Sequence, residues 1–148
     1  MVSDTTKAYL AGLIDGEGYI GILKVKKGNK KVWNSNFEFT FTPVLKVAMI
    51  EKDLITWLYK TFGGTFEIRK ARKGARESYC WMCRKAKVGK FLRMIYPYLM
   101  VKKDQADIIL SFPKNKAGYP LTEEIYNKRF ELYNKLIDKH HQGCSLRD

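Results

Sequence analysis

The chain has 148 residues, 45% of them hydrophobic and 14% aromatic, which excludes a disordered segment and predicts one packed domain over residues 1–148 with no need of a disulfide or structural metal. Its 28 Lys and Arg against 15 Asp and Glu leave +13, and the stretch from Lys24 to Lys90 holds nearly all of that surplus. An anionic partner fits such a charge, nucleic acid before a membrane surface, with a merely soluble basic surface as the plain alternative.

Asp4, Thr5 or Thr6 can cap a first helix that continues to about Ile14. A hairpin follows, Tyr19 to Lys27 and Val32 to Thr42, around the basic turn "KKGNKK"; Phe37, Phe39 and Phe41 alternate with Glu38, Thr40 and Thr42, a two-residue repeat with one buried face. Ile20 and Ile22 share their face with Lys24 and Lys26, so a bulge or strand end is expected near Leu23. Val47, Ile50, Leu54, Trp57, Leu58 and Phe62 keep helical spacing up to the stop signal Gly63-Gly64. A second hairpin, Thr65 to Arg72 and Ser78 to Arg84, turns at "KGARE". "KVGKFLRMIYPYL" reads as a helix ending before Pro97, "VKKDQADIILSF" as one ending before Pro113, and Thr122 caps a last amphipathic helix toward Gly143.

This order belongs to the α+β class: αββαββα, with the two hairpins forming one four-stranded antiparallel sheet, helices on one face and the other free for solvent or ligand. If the three phenylalanines face the helices, Asn36, Glu38, Thr40 and Thr42 face outward, and Glu67, Arg69, Ala71, Ser78 and Cys80 form the matching set in the second hairpin. Together with Lys24, Lys26 and the cluster of Arg69, Arg72 and Arg76, these make a polar, basic ribbon of the kind the DNA major groove admits. An ordinary solvated sheet face is the competing reading.

The most informative stretch is "AYLAGLIDGEG", Ala8 to Gly18. Gly12 lies mid-helix, where glycine costs about 1 kcal/mol relative to alanine. Ala8, Gly12 and Gly16 recur every four residues, a small-residue stripe that lets a partner backbone approach, so the helix is expected to meet a second copy of itself. Asp15 and Glu17 then emerge at the helix exit. Acids beside a phosphate repel it unless a divalent cation intervenes, and hard cations such as Mg²⁺ take carboxylate and phosphate oxygens. The plain alternative is that Asp15 caps local amides and Glu17 is only solvated.

"LAGLIDGEG", Leu10 to Gly18, resembles the signature of the LAGLIDADG homing endonucleases, with glutamate at 17 in place of the signature's last aspartate. One motif copy is similar to the homodimeric branch. The resemblance implies a homodimer whose motif helices pack at the axis through Ala8, Gly12 and Gly16. It implies Glu17 and the Gly16 backbone as ligands of Mg²⁺ or Mn²⁺, with Asp15 ordering the motif end. The paired sheets would then form a saddle on double-stranded DNA. "PYLMVKKDQADIIL" resembles the family segment with a lysine near the scissile phosphates, which implies Lys102, with Lys103 as its neighbour, and Lys46 is the polar candidate for positioning water. The activity implied is intron-encoded, sequence-specific double-strand cleavage of a long near-palindromic site, leaving 3′ overhangs; a maturase acting on intron RNA, or a non-cleaving DNA-binding relative, is the alternative.

Cys80-Trp-Met-Cys83 with His140, His141 and Cys144 has a zinc-like outline, but residues 80 and 83 of a strand point to opposite faces, which argues against it. The odd cysteine count suits a reducing compartment. "MVSDTT" carries no basic leader and the apolar run after it is too short to span a bilayer, so a soluble intracellular protein is expected, away from membranes. Trp33, Trp57 and Trp81 are expected as core or sheet anchors.

Overall fold

The computed structural model describes residues 2–26 and 37–145. In chain order it forms α1 (Asp4–Glu17), β1 (Gly18–Lys26), β2 (Phe39–Met49), α2 (Lys52–Phe62), β3 (Thr65–Arg69), β4 (Ser78–Arg84), α3 (Ala86–Ile95), α4 (Lys103–Leu110) and α5 (Glu123–Ser145), with a 3₁₀ turn at Tyr96–Tyr98. The strands form one antiparallel sheet in the order β1-β2-β4-β3, so the αββαββα plan of the α+β class holds. Residues 27–36, which hold the rest of "KKGNKK", the expected strand start at Val32, Trp33 and Asn36, lie outside the described residues, as do the side chains of His141 and Cys144.

Helix ends follow local chemistry. Ser3, one residue before the expected caps, accepts the Thr6 amide on its Oγ at 3.2 Å, satisfying one of the free donors of the first turn. Thr122 does the same for α5 through the Ile125 amide at 3.3 Å. α2 stops at Gly63 and Gly64, whose φ of +72° and +90° lie in the region that favours glycine. The indole Nε1 of fully buried Trp81 donates to the Gly63 carbonyl at 2.7 Å and so fixes the end of α2 against β4. A helix beginning at Val47 is corrected: Val47 sits in β2, which runs on to Met49, because the odd-numbered apolar residues there continue the sheet's buried face. Likewise the second hairpin's first strand ends at Arg69 rather than Arg72.

The β1–β2 register runs unbroken from Gly18↔Val47 to Lys26↔Phe39, so no bulge forms near Leu23. Ile20 and Ile22 therefore share a face with Leu45, Val47 and Phe41, and with Trp81 and Cys83 of β4. Onto this face pack Leu10, Ala11 and Ile14 of α1, Ile55 and Leu58 of α2, Phe91 and Leu92 of α3, and Leu136 of α5 in one continuous core. Fully burying each such side chain contributes roughly 1.5–3 kcal/mol. The sequence conflict at Lys24 resolves differently from a bulge: Lys24 stays on the helix face, and its Nζ rides over the rings of Phe39, Tyr133 and Phe130 at 4.5, 5.3 and 5.5 Å. Among the described residues no helix is long and apolar enough to cross a membrane.

Gly64 is the backbone position this packing tolerates least. A Cβ there would run into the Met82 carbonyl and lie 3.2 Å from the Trp81 indole nitrogen, whereas Gly74, φ +85°, has nothing within 4 Å. Gly64→Ala is expected to lower unfolding free energy in urea by at least about 2 kcal/mol and Gly74→Ala by about 1 kcal/mol; equal losses would remove the Met82 contact as the cause.

Candidate nucleic-acid interface and acidic site

α1 does not end at Ile14 but continues through Glu17, so Asp15 and Glu17 are not in an irregular exit: they occupy the last turn of the helix. Two positions apart on a helix of about 3.6 residues per turn, they point to nearly opposite sides, and their surroundings differ accordingly. Asp15 faces the corner between the 3₁₀ turn and α4. Its Oδ2 accepts the Met100 amide at 2.9 Å, and its Oδ1 accepts the amides of Val101 and Lys102 at 3.2 and 3.0 Å. Glu17 is exposed and has no ion pair or hydrogen-bond partner among the described residues.

Lys102, the residue that caps α4, answers Asp15 in the reverse direction. Its Nζ donates to the carbonyls of Ile14 at 2.8 Å and Gly18 at 2.5 Å, at the C-terminal end of α1. That end carries the negative pole of the helix and no basic residue of its own in its last turn, so a cation there is favoured. Burial pulls the half-buried Lys102 ammonium below the ordinary lysine range, while the charges of Asp15 and Glu17 pull it back up. The two residues thus form a reciprocal clamp between α1 and the entry of α4.

The donor chemistry left over at this corner is hard oxygen: the Glu17 carboxylate and the last carbonyls of α1, Gly16 among them, which no following turn of helix can satisfy. Such a set suits a divalent cation of the Mg²⁺ class. Lys46 stands opposite Tyr19 in the sheet, on its outer face beside the start of β1, and its Nζ lies 4.8 Å over the Tyr19 ring. Tyr19 in turn lies across Gly21, where any Cβ would collide with it, and meets the His140 ring at 5.1 Å, tilted by 33°. Burial, with the Tyr133 phenol nearby, raises the Tyr19 pKa and keeps its hydroxyl neutral. Glu17, Gly16, Lys102 and Lys46 are therefore all gathered where α1 meets the sheet.

The outer face follows from the register: Thr40, Thr42, Val44, Lys46 and Ala48 of β2 beside Ser78, Cys80, Met82 and Arg84 of β4 and Thr65, Glu67 and Arg69 of β3. Thr40, Thr42, Arg69 and Ser78 take the positions expected of them, and Arg72 and Arg76 flank the exposed β3–β4 turn. Glu38, just before β2, is exposed at the sheet's rim. Two expectations are corrected. Lys24 and Lys26 lie on the helix face because β1 never changes phase, Lys26 reaching Glu38 at 3.7 Å. Cys80 points outward but is only 1% exposed, beneath Arg69, whose Nη2 approaches its Sγ at 3.7 Å. Arg84 and Tyr19 were missed; Arg84 shares the parity of Ser78 and Cys80, and its Nε lies 3.2 Å from the Met82 sulfur.

Ala8, Gly12 and Gly16 form an exposed line along α1, with Tyr9 beside it, and neither glycine has any atom within 4 Å of where a Cβ would stand. Cys80 and Cys83 are buried on opposite faces of β4, and burial pushes the Cys83 thiol up to about 12. His140 is engaged with the Ile20 carbonyl at 3.0 Å. No cluster of three metal-binding side chains occurs among the described residues.

Residues 10–115 match the sequence model of the LAGLIDADG endonucleases. The fold is similar to that of an archaeal intron-encoded homing endonuclease complexed with DNA, with a TM-score of 0.66 and 16% identity over 91% of this chain and 84% of that one. It is also similar to the homing endonuclease I-CvuI in complex with its target in the presence of Ca, TM-score 0.59 and 18% identity over 86% and 94% of the two chains. A third likeness is to the homing endonuclease I-TnaI, TM-score 0.58 and 19% identity over 92% and 96%. No curated protein matches the chain in sequence.

Removing the Asp15 carboxylate strands three backbone amides. Asp15→Ala is expected to cost at least about 2 kcal/mol in urea unfolding; a loss below about 0.5 kcal/mol, the range of ordinary surface changes, would show that water replaces the carboxylate there.

Proposed function

The chain belongs to the LAGLIDADG endonuclease family, and from that premise we propose that it is a homodimeric, sequence-specific endonuclease that cuts both strands of a long near-palindromic DNA site by metal-assisted phosphodiester hydrolysis, leaving 3′ overhangs. The observation that carries this reading is the corner where an unpaired carboxylate, Glu17, shares the end of α1 with the clamped ammonium of Lys102. Residues 1–148 act in it as a single domain, in solution inside the cell.

Glu17 and the Gly16 carbonyl would hold Mg²⁺ or Mn²⁺. Bound there, such an ion supplies charge neutralisation of the scissile phosphate and favours in-line attack by water. The chain's own residues do the rest. Lys102, kept cationic by Asp15 and Glu17 against its burial, stabilises the charge that gathers on the phosphate during attack. Lys46, steadied over the Tyr19 ring, orients the water. Arg69, Arg72, Arg76, Ser78, Thr40 and Thr42 present donors to the groove and to phosphates, giving both register and sequence preference. The open stripe on α1 lets two chains bring their acidic corners to one short stretch of duplex, and a two-fold protein reads a near-palindrome.

Cleavage of a randomised duplex library tests the reading. Mg²⁺ is expected to give cut products, Ca²⁺ binding without cutting, and Glu17→Gln at least a 100-fold drop in rate with binding kept, about the effect of losing one preorganised charge-stabilising group. DNA bound but uncut under every metal condition would leave a non-cleaving binder or maturase instead.

Assembly has its own test. Gly12→Phe meets open space within one chain, so the fold is expected to persist while sedimentation at micromolar concentration shifts from two chains to one. An unchanged dimer would move the interface off this stripe.

A further inference from the structure

A second built feature lies at the opposite end of the β1–β2 ladder from Glu17 and is independent of the nuclease reading. β4 pairs with only part of β2, the last pair being Val44↔Arg84. Lys85, next in line, donates its amide to the Pro43 carbonyl at 3.0 Å, but Pro43 has no N–H to return and the pairing stops. Backbone groups alternate sides along a strand, so those of Phe41 face the same way as those of Pro43, away from β1. Phe41 is 5% exposed, yet its amide and carbonyl have no protein partner among the described residues. Both groups stand at the edge of the cavity that Phe41 helps to line, where they are free to pair with an occupant.

Beside this bare edge is a cavity of about 470 Å³ between β2, α3 and the segment joining α4 to α5. Its walls include the rings of Phe39, Phe112 and Tyr126. Every charged residue that lines it is a cation: Lys85, Arg93, Lys114 and Arg129. Arg129 is fixed in place, its Nε and Nη2 donating to the Pro113 carbonyl at 3.1 and 3.0 Å and its guanidinium lying 4.9 Å over Phe112. Burial draws the guanidinium pKa down, a cost that an adjacent anion relieves. Gly89 opens the cavity on the α3 side; it is a helix-weakening residue, and a Cβ there would meet only Arg93 Nη2 at 3.7 Å, so packing does not require glycine.

We propose that this cavity binds a mononucleotide. A side-by-side N–H and C=O complements the donor and acceptor edge of a base, aromatic walls stack on its ring, and a purely cationic lining receives its phosphate.

The test is calorimetric titration of the full chain with AMP, adenosine, inorganic phosphate and a short oligoadenylate. AMP is expected to bind saturably, at least about tenfold more tightly than adenosine or phosphate alone, with no gain from the oligonucleotide. Gly89→Leu, which fills the cavity beside Arg93 and keeps every cation of the lining, and Arg93→Glu are each expected to weaken AMP by about tenfold or more while melting and DNA cleavage stay unchanged. The proposal is overturned if wild type shows no saturable AMP binding, if both variants bind AMP as wild type does, if phosphate matches AMP, or if only the oligonucleotide binds.

Discussion

The rest of this structure depends on one exchange of hydrogen bonds between distant parts of the chain. Asp15 gathers the amides of Met100, Val101 and Lys102, and Lys102 returns its ammonium to the carbonyls of Ile14 and Gly18. One end of the exchange is the turn that leads into α4, the other the junction of α1 and β1, where the Ile14 carbonyl already accepts the Gly18 amide and gains a charged donor as well. A carboxylate supplied by α1 and a cation supplied by the cap of α4 tie the two places together. Charge-assisted bonds of this kind are stronger than neutral ones, and the partial burial of Lys102 strengthens them further. The arrangement leaves Glu17 with no ion pair or hydrogen bond among the described residues.

That division of labour also explains the placement of the sheet. Gly18 begins β1 directly after Glu17, so the first residues of the sheet inherit the position of the clamp. Tyr19 and Lys46 then sit at a fixed distance from it through the Tyr19↔Lys46 pair, and the outer face runs onward through Thr42, Thr40 and the β4 residues. The helix face carries the apolar load and the outer face the polar one. Even there, Val44, Cys80 and Met82 are buried, with Arg69 over Cys80 and Arg84 against Met82.

The element order, the α+β class, the outward set around Arg69 and Ser78, and the small stripe on α1 were legible because each rests on local periodicity. The unequal surroundings of Asp15 and Glu17 stood in the residues only as the plain alternative, an acid that caps amides beside one that is solvated, and the amides could not be named because they lie more than eighty residues away. The phase of β1 was misread at Lys24 for a physical reason: a lysine can keep an inward parity when aromatic rings of a distant helix, Phe130 and Tyr133, receive its charge. Val47 was assigned to a helix because its spacing from Ile50 continues the helical pattern of Leu54, Trp57 and Leu58, whereas in β2 it shares its face with Leu45 and Met49. Cys80 was right in direction and wrong in access, since parity does not reveal that Arg69 folds over it. Nothing in the sequence announced that Pro43 would end a ladder in the middle of the sheet.

The sequence separation of the clamp has a consequence for the order of events during synthesis. Of these elements α1 is made first, with Glu17 at its end, while the clamp's counterpart lies beyond two hairpins and two further helices. Contacts of such high sequence separation close late, after the loop entropy between them has been offset by the intervening sheet and core. A nascent chain therefore carries the acid long before it carries the cation that completes the corner. The corner is therefore completed as one of the last steps of folding, and until then its acid and its cation belong to separate parts of the chain.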